Sequence, residues 1–247
     1  MTKYSEWLHY YQHNGWQPCQ LPFRDRPSLS ASERELISKS IQQFQLGEGS
    51  SGEGLIRRAR QFACQRDLVE LPACIELFIK EEQRHSAVLG AFLDQEQIPR
   101  LQQHWVDRLF RKIRNLAGFE LMLTVLVTAE YIAVPYYTAL HDATESFLLK
   151  SICKRILMDE AQHLEFQADN LLECAAGRGD FGRLLTVILQ VAGISAACAL
   201  VYPLHASLFR AAKISPLHFW GNALDAYRPV FRKLTHRQVP VLQPILR

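Results

Sequence analysis

The chain has 247 residues, 48% of them hydrophobic and 21% charged, enough to bury a sizeable core as one large domain or two small ones. Its formal charge of +3 is too mild to argue for nucleic acid as a partner. The six cysteines are scattered with no Cys-x-x-Cys pair, and residues 1–12 lack the apolar run of a signal peptide. Both points fit a cytoplasmic protein with reduced thiols rather than a disulfide framework.

Residues 1–29 carry Trp7, Tyr10, Tyr11 and Trp16 among three prolines, which predicts an irregular arm whose aromatics pack on the body. Two overlapping capping boxes, Ser30 to Glu33 and Ser32 to Glu35, then start a helix. Its apolar positions run Ile37, Ile41, Phe44, Leu55, Ala59 and Phe62, through the segment Gly47-Glu48-Gly49-Ser50-Ser51-Gly52-Glu53-Gly54. Each glycine costs a helix about 1 kcal/mol relative to Ala. Either the helix breaks there, or something needs the backbone close.

Asp67 is the expected N-cap of a second helix, with Pro72 in its first turn and Pro99 closing it. The buried stripe of that helix is Ile75, Phe78, Ile79, Glu82, His85, Leu89 and Phe92. A third helical region spans about His104 to Leu140, bent at Gly118 and kinked by Pro135, with Glu130 on its apolar face. A fourth carries Phe147, Ile152, Ile156, Glu160, His163, Phe166 and Leu171 and ends at Gly177 and Gly179. From Leu184 to Phe209 there is no formal charge, only His205, so the run is long enough to span a bilayer. Gln190, Ser195, Pro203 and His205 interrupt it and favour a fifth core helix over a membrane span. Residues 210–247 suggest one or two more helices, and no strand-like run occurs.

Two stretches organise this pattern, Glu81-Glu82-Gln83-Arg84-His85 and Asp159-Glu160-Ala161-Gln162-His163. Each is an acid followed by Glu-x-x-His, and the offset from Glu82 to Glu160 equals that from His85 to His163. Positions i and i+3 share a helix face, so each Glu and His can address one cation. Both motifs sit on apolar stripes, where four polar groups without partners are costly and a cation resolves the cost. Each half should add a lone Glu from the preceding helix. Glu130 fills that place in the second half, inside an otherwise apolar run. In the first half, helical phase favours Glu48. Depth along the hairpin favours Glu53, which lies almost as far before Asp67 as Glu82 lies after it. Phase is the stronger argument, because turn length is uncertain and face is not. Asp159 and Glu81 are expected as outer acceptors or ion-pair partners, with Arg84.

The order Glu…Glu-x-x-His…Glu…Glu-x-x-His resembles the ferritin-like di-iron carboxylate superfamily, in its oxygenase and rubrerythrin-like branch. The resemblance covers roughly residues 30–180. It implies an all-α fold: a ferritin-like four-helix bundle (30–180), preceded by the arm (1–29) and followed by an apolar fifth helix and C-terminal extension (181–247). It implies Glu48, Glu82, His85, Glu130, Glu160 and His163 as metal ligands, with Glu82 and Glu160 bridging two iron ions. The Gly/Ser-rich surroundings of Glu48 depart from the continuous helix usual in the family. Four carboxylates neutralise two divalent ions, and carboxylates with imidazoles suit iron or manganese, so a mixed Mn/Fe pair is the alternative.

The function this implies is a di-iron oxidoreductase using dioxygen on an apolar or small organic substrate, with an electron donor the sequence does not name. The alternatives are a non-catalytic iron-binding or peroxide-scavenging protein, and a membrane-associated di-iron hydroxylase contacting the bilayer through 184–209. A homodimer is also open. Phe44, Phe78, Val134, Tyr137 and Phe166 are expected to line the substrate pocket. Gly47 to Gly52 matches Gly-x-Gly-x-x-Gly, but a capped helix rather than a strand precedes it, so a dinucleotide site is rejected. Its small residues instead leave room beside the metals. Tyr131, Tyr136 and Tyr137 read as packing aromatics, and His205 and His218 as core or tail histidines.

Overall fold

A computed structural model describes residues 2–15, 21–23, 27–105 and 118–235. The protein is all-α, with no strand among the described residues. The helices are α1 (Lys3–His13), α2 (Ala31–Glu48), α3 (Glu53–Arg66), α4 (Leu71–Gln95) and α5 (Phe119–Ala143). They continue as α6 (Phe147–Cys174), α7 (Asp180–Leu204), α8 (Ala206–Ala211) and α9 (Pro216–Thr235). Two helix pairs make the bundle: α2 and α3 lie along α4, and α5 lies along α6. The links of a few residues between α3 and α4 and between α5 and α6 force each pair antiparallel. α7 packs on α5, and α9 covers α6 and α7.

The caps explain several boundaries. Ser30 accepts from the Glu33 amide while Glu33 reaches back to the Ser30 amide, so the first predicted capping box opens α2. Glu33 also accepts from Thr144 Oγ1 and the Glu145 amide, which ties the start of α2 to the α5–α6 link. The glycine-rich segment does break the helix. α2 ends at Glu48 and α3 begins at Glu53 after Gly52, whose φ is +66°. A Cβ on Gly52 would lie 2.3 Å from Ile79 Cδ1, so the break brings backbone hard against α4.

Three expectations need correction. Residues 3–13 are not irregular but form a helix, opened by a Thr2–Ser5 capping box. Its aromatics do pack inward: Tyr4 and Tyr11 are buried, and Trp7 lies edge-on to Phe166. Asp67 does not start α4; with φ +54° it is the left-handed C-cap of α3, and Glu70 precedes α4. The apolar run from 184 is not one helix, because the chain breaks at His205 between α7 and α8. The expected helix over 104–118 lies mostly outside the described residues; α5 begins after Gly118 and runs on through Pro135.

Among the described residues, two helices are long and apolar enough to cross a membrane, α5 and α7. α5 carries Glu130 inward and is a core helix. α7 leaves a bare apolar face, on which Phe181 is 81% exposed, Leu189 60%, Leu184 57% and Ile188 54%.

Candidate metal centre

The centre sits where α2, α4, α5 and α6 meet. Glu82 and His85 are one turn apart on α4, and Glu160 and His163 one turn apart on α6. Glu48 arrives from the last residue of α2 and Glu130 from the middle of α5. His85, His163, Glu160, Glu130 and Glu48 are buried, and Glu82 is half-buried. Glu53 is exposed, so it is Glu48 that joins the cluster.

Ligand-type atoms of Glu48, Glu82, His85 and Glu160 all lie within 4.8 Å of one another, a set that can hold a metal ion. His163 borders this set: its Nδ1 is 3.0 Å from Glu82 Oε1 and 3.7 Å from Glu160 Oε2. The other oxygen of Glu160 is 3.7 Å from His85 Nδ1, and Glu82 Oε1 is 4.0 Å from the same nitrogen. Glu82 and Glu160 therefore each stand between the two imidazoles, whose ring centres are 5.6 Å apart. Glu130 lies to one side, with Oε1 accepting from Gln167 Nε2 at 3.4 Å.

The outer contacts cross between the halves. His85 Nε2 donates to Asp159 Oδ2 at 3.1 Å, and His163 Nε2 donates to Glu81 Oε2 at 3.0 Å. Each motif's leading acid thus holds the other motif's histidine. With Nε2 engaged as donor, each neutral ring keeps its lone pair on Nδ1, facing the cluster. Asn14, at the end of α1, joins the two acids: its Nδ2 donates to Glu81 Oε1 at 2.8 Å and to Asp159 Oδ1 at 3.0 Å. Arg155 donates to Asn14 Oδ1 and Asp159 Oδ1, and Arg84 to the Asn14 carbonyl.

Burial and crowding shift the proton affinities of these groups. Burial, with Glu82 and Glu160 nearby, pushes the Glu48 carboxyl well above the usual range, against a hydrogen bond from Tyr137. Burial does the same to Glu130, with Glu160 adding to it. Burial opposes charge on His163, but acceptance by Glu160, Glu81 and Glu82 wins and raises it well above an ordinary histidine. Burial also opposes charge on Glu82, yet His163 and His85 lower it. At Asp159 the desolvation penalty is outweighed by His85, Asn14 and Arg155, which hold the carboxyl down at about 2.

The residues fit a metal. Glu82 Oε1, His85 Nδ1, Glu130 Oε2, Glu160 Oε2 and His163 Nδ1 are buried with no well-aligned hydrogen bond among the described residues, although Glu82 Oε1 and His163 Nδ1 stand 3.0 Å apart. Each such atom costs a fold about 1–3 kcal/mol, and all five belong to side chains of carboxylate–imidazole type, the donor chemistry of iron and manganese sites.

Two cavities reach the cluster. One, of about 460 Å³, lies under the glycine-rich break and is lined by Gly47, Glu48, Ser50 to Leu55, Arg57, Arg58, Phe78, Ile79, Glu82, Met122 and Leu126. The other, of about 170 Å³, is more apolar; Phe44, Leu126, Ala129, Ala133, Val201 and Leu204 line it beside Glu48, Glu82, Glu130 and Glu160. Of the expected pocket residues, Phe78 and Phe44 line these cavities. Val134, Tyr137 and Phe166 do not. Val134 packs on the core, and Phe166 packs on Trp7 and Tyr11. Tyr137 is buried with its hydroxyl donating to Glu48 Oε1 at 2.6 Å. His205 is buried and shares a hydrogen bond with Ser40 Oγ, whereas His218 is exposed.

Sequence reasoning missed Asn14, Arg155 and Gln167. Arg155 stands four residues before Asp159 on one helix face, and Gln167 four after His163, so both had a spacing signal. Asn14 had none, since only the docking of α1 brings it to the acids. No protein-family model, curated protein or solved structure matches the chain. The class that the fold and site define is an all-helical protein with a buried Glu/His cluster able to hold metal.

Proposed function

We propose that the protein belongs to the ferritin-like di-iron carboxylate superfamily and is an oxidoreductase that uses dioxygen on a small, largely apolar substrate. The observation that carries this reading is the set of buried carboxylate and Nδ1 atoms gathered at the centre of the bundle without well-aligned hydrogen bonds. Glu48, Glu82 and His85 would hold one ion and Glu130, Glu160 and His163 the other, with Glu82 and Glu160 shared. Iron bound there supplies the redox chemistry that dioxygen activation requires.

The chain's own contribution is orientation and proton placement. Asp159 and Glu81 hold the histidine rings so that Nδ1 faces inward. Tyr137 orients the Glu48 carboxyl by donating its hydroxyl to Oε1. The two cavities favour catalysis over storage, because each leaves room for a small molecule beside Glu48 and Glu82.

Metal analysis of protein made in iron-replete cells, with optical spectra on mixing the reduced form with oxygen, tests the reading. Two irons per chain and an oxygen-dependent absorption change are expected; full iron content in both Glu82→Ala and Glu160→Ala overturns the ligand assignment. The bare apolar face of α7 favours a second reading, a membrane-associated enzyme of the same chemistry. Recovery of the native chain wholly in the soluble fraction after lysis without detergent refutes it.

A further inference from the structure

The larger cavity differs from the smaller one at its mouth. Its inner wall is apolar, with Leu55, Phe78, Ile79, Met122 and Leu126 around Glu48 and Glu82. Its outer wall carries two adjacent guanidinium side chains, Arg57 and Arg58 of α3. Arg57 is exposed and Arg58 half-buried. Neighbouring Arg60 is bonded to Glu76 at 2.6 Å, whereas no ion pair engages Arg57 or Arg58 among the described residues. The glycine-rich break widens the space between them and the cluster: Gly52 and Gly54 bring no side chain into it, and Ser50 and Ser51 supply small hydroxyls.

A volume of about 460 Å³ is that of a small-molecule site. Its polarity is graded, apolar beside the buried carboxylates and cationic at the rim. A neutral hydrocarbon would leave both guanidinium groups without use. An acid with an apolar body would satisfy both ends, because arginine pairs with carboxylate or phosphate through two parallel hydrogen bonds. Glu53 also lines the rim, which disfavours a multiply charged head.

We infer that the substrate is an amphipathic organic acid: a singly anionic carboxylate head held by Arg57 and Arg58, with its apolar body laid along Phe78, Ile79 and Met122 toward Glu48 and Glu82. This rests on the reading of the Glu/His cluster as a reaction centre. It adds that the site selects by charge at a distance from the chemistry, and that the small apolar cavity takes no part in holding the organic substrate.

The test is calorimetric titration of the full chain, loaded with Co²⁺, with octanoate, octyl phosphate and octanol. Octanoate should bind about tenfold more tightly than octanol, from at least one charge-assisted pair, and more tightly than octyl phosphate, whose head carries close to two charges at neutral pH and meets Glu53 at the rim. The double variant Arg57→Ala/Arg58→Ala should lose that tenfold, bind octanol as before and keep its cobalt. The double variant with lysine at both positions should recover part of the preference. Equal binding of acid and alcohol, retention of the preference in the alanine variant, or binding of none of the three overturns the inference. Cobalt content and spectrum are read on the same samples. Metal without acid preference sinks only this inference, whereas acid preference without metal sinks the reading of the cluster and leaves the anion site standing.

Discussion

The crossed hydrogen bonds make a sharp prediction at Asp159. Its Oδ2 is the acceptor for His85 Nε2 at 3.1 Å, while Oδ1 takes Asn14 and Arg155. Asp159→Asn keeps the shape but removes the charge, so the ring loses an anionic acceptor and its Nδ1 becomes a weaker donor to metal. Removing such a partner typically weakens metal binding about 10- to 100-fold, or about 1.4–2.8 kcal/mol. The loss should fall on the ion nearest His85, although Asp159 is adjacent to the other motif, because His163 is held by Glu81 at 3.0 Å and is untouched. With two ions bound as proposed, anaerobic titration with Mn²⁺ should show one of the two binding steps weakened and the other unchanged. Glu81→Gln should weaken the complementary step. Thermal unfolding of the metal-free variants separates this from misfolding. Unchanged affinity in Asp159→Asn, or weakening of the same step in both variants, would refute the crossed arrangement.

Asn14→Ala removes two charge-assisted bonds from between Glu81 and Asp159 and should destabilise the metal-free protein by about 2–4 kcal/mol. Asn14→Asp, which places a third carboxylate there, should cost more, and equal melting temperatures for the two variants would contradict this. Metal loading should release protons, because Glu48 and Glu130 are pushed well above the usual carboxylate range and His163 well above that of histidine. Affinity should therefore rise with pH, and loading in weak buffer should acidify it; no measurable proton release would count against the charge balance.

Glu33 is held at about 2, against an ordinary 4.5, by the Glu145 and Ser30 amides and the Ser30 and Thr144 hydroxyls, which outweigh its desolvation. Its charged form therefore adds stability above pH 4.5 that is lost as pH falls through about 2. The melting-temperature gap between wild type and Glu33→Gln should close over that window, and a constant gap would refute it. Gly52→Ala meets both a positive φ and Ile79, so a loss of about 1–3 kcal/mol is expected in chemical denaturation; an unaffected midpoint would mean the turn relaxes freely.

Much of the centre was legible because its residues violate the pattern around them. Glu82, His85, Glu160, His163 and Glu130 are polar groups on apolar stripes, and helical phase carried the choice of Glu48 over Glu53. The capping box at Ser30 and Glu33 is likewise local and was readable. What was hidden depends on docking. Asn14 ends a polar helix whose opening box uses Ser5 rather than an acid, and three nearby prolines argued for irregular chain. The hand-over at residue 67 was misread because Asp serves equally at a helix start and in a left-handed turn. The crossing of Asp159 to His85 follows from how α4 and α6 face each other, which no spacing within either helix records.

That crossing has a consequence for what either motif is worth alone. A half-length chain with one motif would possess an imidazole and an acid, but the acid would sit where its own ring has no use for it. Only a second such chain, related to the first by a two-fold axis, could lend the missing grip and borrow one in return. The two motifs look like copies, yet each histidine is oriented by the acid that leads the other motif.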